Sequence, residues 1–399
     1  MALSPRTVAV SELRNVNASA ILEYIRRKSP ISRTHIAEQL NVSLPTVTRV
    51  VDILIENELV ILDEAETEWS GGRRRPLIRF NKSGYVVIGV DLGGTKMFGA
   101  VADLGGDILV DITMENHLTH GDASYEQLTQ LISQLINSPQ IEGSRIRGIG
   151  VGAPGTTLYQ TGVVTWAPSL NWRDFPLKAK LGEDFGLPVI VENDVNLAAL
   201  GELWFGLDEY VDNLVLISIG TGIGAGIILD GALYRGAQQA AGEIGYFPLG
   251  RQFLSRRYDG FGAFESIASG TGIAERAQAV LRELHPHQVP ETINAEEVFN
   301  AARHGEQWAQ AVVDETVDYL AIGIANIAAL LNPEIIILGG GVARAEDLLI
   351  TPIRQRIDGV IPFVPELRAS RLGYKAVVMG TIARVLHSTT DFYQVRKLT

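Results

Sequence analysis

The chain has 399 residues, 46% of them hydrophobic, enough for two or three domains with sizeable cores. It contains no cysteine, so disulfides, thiolate catalysis and cysteine-bound zinc are excluded. Of 34 Lys+Arg and 46 Asp+Glu, residues 1–80 hold 11 and 10; the net charge of −12 thus divides into +1 there and −13 beyond, and an acidic body confines any DNA contact to the first segment.

The N-terminus lacks the basic stretch and apolar core of a secretion signal, and a soluble cytoplasmic protein is expected. Residues 15–28 put Ile21, Leu22 and Ile25 on one helical face. A second helix, 32–40, is capped by Ser32, with Ile36, Ala37 and Leu40 inward. Asn41 and Val42 make a turn, and Ser43 caps a third helix that reaches residue 56, with Pro45 tolerated in its first turn. This is the pattern of a helix-turn-helix. Ser43, Thr46, Thr48 and Arg49 are the exposed positions of the third helix, short polar groups and one cation that suit base edges and phosphates in a major groove. Strands over 60–62 and 77–80 would form a wing. Between them Arg73, Arg74 and Arg75, flanked by glycine and proline, suit a minor groove or flanking phosphates; a solvated basic linker is the plainer alternative.

From Tyr85 the pattern changes to strands over 85–92, 97–103 and 107–114. The first turn carries Asp91, Gly93, Gly94, Thr95 and Lys96. It can offer backbone N–H groups, a hydroxyl and an ammonium to phosphate oxygens, with a carboxylate for a hydrated metal ion. A glycine turn in a hairpin needs only a permissive backbone, so this turn alone decides little. A helix over 125–137 and a strand over 146–151 lead to Gly152, Ala153, Pro154 and Gly155. A strand over 188–191 ends at Glu192, Asn193 and Asp194, where a helix over 195–205 begins.

The second half repeats the device: a strand over 213–219, a turn with Gly220, Thr221, Gly222 and Gly224, and a return strand over 225–230. Helices over 271–284, 295–304 and 306–331 precede a strand over 335–338 and the run Gly339, Gly340, Gly341. The apolar run 322–342 is broken by Asn326, Asn332, Pro333 and Glu334, which argues against a membrane span. Two halves that each open with strand, Gly-Thr turn, strand imply an internally duplicated α/β protein whose turns face one nucleotide across a cleft.

On these motifs the chain resembles the ROK family (repressors, open reading frames and sugar kinases) of the actin-like ATPase and hexokinase superfamily. The resemblance implies a two-lobed actin-like, ribonuclease H-like α/β ATPase body preceded by an all-α winged helix-turn-helix domain. It divides the chain into 1–80, a first lobe 81–194 completed by a C-terminal helix 381–399, and a second lobe 195–380. It implies nucleotide phosphates at Asp91, Gly93, Gly94, Thr95 and Lys96 and at Gly220, Thr221, Gly222 and Gly224, with Gly339, Gly340 and Gly341 by the adenosine. The implied sugar pocket comprises Gly152, Pro154, Gly155, Asn193, Asp194, Glu243 and Glu265, with Asp194 matching the general base of a kinase. Asn193 and Asp194 also suit a helix N-cap, and one can cap while the other faces the cleft.

Three departures from the family pattern bear on function. Tyr246 stands where family members usually have a histidine that touches the sugar and binds zinc. The family's cysteine cluster falls here on Arg256, Tyr258 and Ala263, so no zinc is expected and the loop 250–262 must be held by Phe253, Tyr258 and Phe261. Ser169 replaces a frequent asparagine, for which Asn171 would compensate or the sugar preference would change. Two functions follow from the resemblance, separately or together in one chain: a DNA-binding repressor of carbohydrate genes controlled by a bound sugar, needing no cofactor to bind DNA, and an ATP- and Mg2+-dependent, glucokinase-like sugar kinase. Operator DNA, a sugar effector and a homodimer or homotetramer are the expected partners, with no membrane. A purely structural assembly module has no support beyond fold kinship.

Overall fold

The structure, a computed structural model, describes residues 10–68, 75–116, 121–254, 262–284 and 292–389. The N-terminal unit comprises α1 (Val10–Lys28), α2 (Arg33–Gln39), α3 (Leu44–Glu56) and an antiparallel hairpin of β1 (Val60–Glu68) and β2 (Arg75–Phe80). Ser32 caps α2 as expected, its Oγ accepting from the His35 N–H. Ser43 occupies the N-cap position of α3 but makes no capping bond, because its hydroxyl pairs with Thr46 Oγ1 at 2.8 Å. Val47, Val50, Val51 and Leu54 turn the inner face of α3 onto Ile21, Leu22, Ile25 and Ile36.

The body opens with β3 (Val86–Leu92), β4 (Lys96–Asp103), β5 (Ile108–Glu115) and α4 (Gly121–Ile136), followed by β6 (Ile146–Ala153). A meander of β7 (Thr156–Leu158), β8 (Val163–Ala167) and β9 (Trp172–Phe175) precedes α5 (Leu177–Phe185) and β10 (Val189–Asn193). The helix expected over 195–205 is α6 (Asp194–Gly201), which widens into a π turn, Glu202–Gly206. Then come β11 (Leu214–Ile219), β12 (Ile223–Leu229), β13 (Ala232–Leu233), α7 (Glu265–Ala268), α8 (Gly270–Leu284), α9 (Ala295–Arg303) and α10 (Gln307–Leu331). The chain closes with β14 (Ile335–Gly339), α11 (Glu346–Ile357), β15 (Glu366–Ala369) and α12 (Ala376–Thr389).

The strands form two five-stranded sheets, β10-β6-β3-β4-β5 and β13-β12-β11-β14-β15. Each is built on one antiparallel hairpin, β3-β4 or β11-β12, with a parallel neighbour, β6 or β14. This is the duplication read from the sequence. α6 and α12 cross so closely that a β-carbon on Gly201 would lie 2.1 Å from the Ala376 carbonyl oxygen, and one on Gly380 would lie 1.9 Å from that of Leu197. Only glycine permits that approach. The C-terminal helix was expected over 381–399; it starts at Ala376, and residues 390–399 lie outside the described ones. It lies on β3 and β6, where Gly89 and Gly150 face Thr381. No helix among the described residues is long and apolar enough to cross a membrane.

Candidate functional site

The C-terminal ends of three strands lie side by side. Asp91 stands opposite Gly152, and Gly152 and Ala153 stand opposite Glu192 and Asn193. α6 begins at this crevice, where open α/β sheets usually take their ligands. Asn193 is its cap: Oδ1 accepts from the Asn196 N–H at 3.0 Å, while Nδ2 donates to the Gly155 carbonyl and to Asp194 Oδ1, both at 3.0 Å. One side chain thus joins the helix start, the 152–155 turn and Asp194. Gly155 has φ 75°, and a β-carbon there would meet the Trp166 carbonyl oxygen at 2.1 Å. The Val195 N–H donates to Asp194 Oδ1 at 2.8 Å, and a β-carbon on Gly224 would lie 3.1 Å from Val195 Cγ2, so the first turn of α6 touches both sheets.

The two glycine turns are held by different means. In the first, Asn116 takes the Thr95 carbonyl on its backbone N–H at 2.8 Å and the Gly93 carbonyl on Nδ2 at 2.9 Å, leaving Thr95 and Lys96 exposed. In the second, Glu265 Oε1 accepts from the Ile223 N–H at 2.7 Å and Oε2 from Gly262 at 3.1 Å. Gly270 and Thr271, at the start of α8, bond the carbonyls of Gly220 and Thr221. Gly340, at φ 80°, abuts the end of β11, so the 339–341 run adjoins this turn.

Four carboxylates gather here although they come from four separate stretches of chain. Burial pushes Asp91 up to about 8, with the nearby charge of Asp194 adding to it. Burial pushes Asp194 up to about 6, against the pull of backbone N–H groups. Glu243 keeps an exposed face, yet desolvation and the charges of Asp194 and Glu265 push it up; Glu265 is raised by desolvation too. Tyr246, half exposed, feels both glutamates. Ser169 packs instead against Gly94 of the first glycine turn, and Asn171 is exposed in a left-handed conformation at φ 53°. Pro154 is half-buried in the turn between β6 and β7. Phe253 is buried against Tyr319, whereas Arg256, Tyr258 and Phe261 lie outside the described residues. No group of three or more His, Cys, Asp or Glu among the described residues could hold a metal ion.

Two sets of residues carried no signal in the sequence. Beneath Asn193, the buried Glu192 accepts from Arg235 Nε and Nη2 at 3.0 and 2.5 Å, with Arg384 Nε 3.7 Å away. Tyr159 lies under the Arg235 guanidinium, 4.2 Å from ring centre to Cζ. His387, desolvated beside Arg384, is pushed down to about 4. The second set joins the N-terminal unit to the body. Arg26 Nη2 donates to the Trp204 carbonyl at 2.8 Å, and Arg27 to the carbonyls of Leu203 and Glu209 at 3.3 and 3.2 Å. Their guanidinium groups lie over Trp204 and Tyr210, and Glu23 pairs with both. The residues they clasp include the π turn that continues α6.

In the N-terminal unit Ser43 and Arg49 are exposed and Thr46 and Thr48 half-buried. Arg73 and Arg74 lie outside the described residues, and of Arg75 only the backbone, at the start of β2, is described.

The profile of the family described as "ROK family" matches residues 87–386, and that of "Winged helix-turn-helix DNA-binding" matches residues 14–61. A glucokinase of Halalkalibacterium halodurans is 37% identical over 73% of this chain and 92% of its own length. A xylose repressor of Caldicellulosiruptor bescii is 29% identical over 95% of this chain and 98% of its own. A crystal structure described as a ROK family transcriptional regulator, homologous to the E. coli MLC protein, superposes with a TM-score of 0.80 at 27% identity, covering 95% of this chain and 97% of that one.

Proposed function

Because this chain belongs to the ROK family, we propose that it is a sugar-responsive transcriptional repressor of carbohydrate genes, acting on operator DNA in the cytoplasm as a homodimer or homotetramer. The observation that carries the reading is the clasp of Arg26 and Arg27 on the π turn of α6. α6 starts at Asn193 and Asp194 and spans about 12 Å, so the candidate sugar site and the DNA-binding unit are joined by one stiff element. π turns recur at functional sites in helices. The similarity to the xylose repressor runs through the helix-turn-helix, whereas that to the glucokinase covers only about the body.

A sugar would present paired hydroxyls to Asp194, Glu243 and Tyr246. Hydroxyl donors favour the ionised form of carboxylates that burial now disfavours, so binding would draw the two sheets onto the first turn of α6. α1 rides on the far end of that helix. In a dimer a small tilt changes the distance between two recognition helices that must meet successive major grooves about 34 Å apart. The sugar controls DNA binding by its different affinity for the two arrangements.

A sugar kinase is the second reading, and one observation favours it: Asp194, pushed up to about 6, is poised close to neutrality, where a general base for a sugar hydroxyl works well. The glycine turns fit ATP, since β-carbons on Gly220 and Gly341 would meet nothing within 4 Å, leaving room for a ligand against the backbone. Asp91 would take Mg2+, whose remaining ligands would be phosphate oxygens and water. ATP would supply the phosphoryl group, and Asp194 would hold and accept the hydroxyl proton.

Fluorescence anisotropy of a duplex from upstream of the gene, with full-length protein and a panel of free sugars but no ATP, tests the first reading. One sugar should shift the affinity by about 5–150-fold. If the chain releases ADP, Asp194→Asn should abolish that release while sugar-sensitive DNA binding largely survives; loss of both would assign Asp194 to sugar binding or folding rather than to proton transfer. A protein that releases ADP with a sugar yet binds no duplex specifically would reverse the assignment.

A further inference from the structure

We infer that this protein reads thymine methyl groups through Leu44 and Pro45, at the entry of its recognition helix α3; this rests on the DNA-binding reading above. The outer face of α3 carries Leu44, Pro45, Thr48, Arg49, Asp52, Ile53 and Glu56 around a shallow groove. Leu44 is 38% exposed, Pro45 is exposed as well, and neither belongs to the hydrophobic core, so the fold gives no use to the apolar pair. The first turn of a recognition helix is the part that meets base edges.

The neighbours narrow what the pair can meet. Ser43 and Thr46, the short polar groups beside it, hydrogen-bond each other. Asp52 and Glu56, on the last turns, repel phosphates, and Asp52 is drawn aside by Arg33 at 3.0 Å. Close approach is therefore left to the first two turns, where Arg49 lies four residues beyond Pro45 on the same side of the helix. On the major-groove edges of the four bases the single apolar group is the C5 methyl of thymine, and the strongest match for an arginine is guanine N7 and O6. Leu44 and Pro45 fit the first and Arg49 the second. The half-site is accordingly expected to carry thymine next to a guanine.

The test starts from the tightest duplex that the full-length protein selects from a random-sequence library. Each thymine is then replaced singly by deoxyuridine, which removes only the methyl group. Wild-type protein should lose about fourfold in affinity at one or two thymines per half-site, the effect of uncovering one methyl-sized group. Leu44→Ala should bind the parent duplex more weakly and lose its sensitivity to uracil at one of those positions, and Leu44→Met should regain it. Thermal unfolding of each variant checks the fold, which exposed Leu44 does not support. Uracil tolerated everywhere, or Leu44→Ala as sensitive as wild type, would overturn the inference while leaving the repressor reading intact. Failure to select any specific duplex would overturn both.

Discussion

At the residue scale, the site is a set of acids whose charged forms desolvation disfavours. Asp91 and Asp194, raised to about 8 and about 6 from 3.8, keep their protons in the folded chain at pH values where the unfolded chain has lost them. Their contribution to stability is therefore complete below about pH 4 and is lost as pH rises through the folded values. His387, lowered to about 4 from 6.5, acts in the opposite sense: its contribution is complete above pH 6.5 and is lost as pH falls through 4. Of these three groups, only the two acids lose protons between pH 6.5 and 8. Asp91→Asn should consequently raise the stability of the ligand-free protein at pH 8 by about 2–4 kcal/mol and flatten its decline from pH 6.5 to 8. Chemical denaturation across that range checks it; parallel curves for variant and wild type would refute the assignment. In the sequence, Asp194 stood out because it follows Asn193 at a strand end. Glu192, Arg235 and Arg384 did not, because their pairing joins residues 43 and 192 positions apart and leaves no local pattern.

At the element scale, α6 does three things: it starts at the crevice, crosses α12 at Gly201 and Gly380, and ends under α1. The pattern of a strand ending at Asn193 and Asp194 placed a helix over 195–205. That pattern does not reveal the π turn, because widening from Glu202 is set by what surrounds it: Glu202 is buried and bonded to the Ser370 hydroxyl and the Leu372 N–H. Cutting the link between α6 and α1 should separate sensing from binding. Arg26→Ala removes a hydrogen bond to the Trp204 carbonyl and a cation stacked on two aromatic rings, while leaving α3 untouched. Operator affinity without sugar should stay within about threefold of wild type, and the sugar-induced change should shrink to less than about threefold, against the 5–150-fold typical of a coupled pair of sites. An unchanged sugar response in Arg26→Ala would show that coupling runs elsewhere. Ser43 illustrates the converse error: a cap read from residue type alone was diverted by a hydroxyl partner one turn away.

At the scale of the molecule, the proposed operator binding depends on charge and on symmetry. The acidic body cannot approach a duplex closely, so binding through one N-terminal unit would be weak and salt-sensitive, and the proposed symmetric assembly, reading two half-sites, would supply the rest. Inserting about half a helical turn between the half-sites of the selected duplex should lower affinity by at least tenfold, and a full turn should restore much of it. A protein that sediments as a monomer at micromolar concentration and ignores the insertion would contradict this arrangement. The sequence by itself determined the winged helix-turn-helix, the duplicated α/β body, the two glycine turns and the absence of cysteine ligands, because each of these is written in residue type and short-range spacing. The tertiary structure alone decided that burial raises all four carboxylates of the site, that Glu265 braces a backbone turn through both its oxygens, and that the N-terminal unit rests on the helix that starts at the crevice. Those relations depend on burial and on contacts between residues far apart in the chain. Neither quantity exists until the two sheets close around α6.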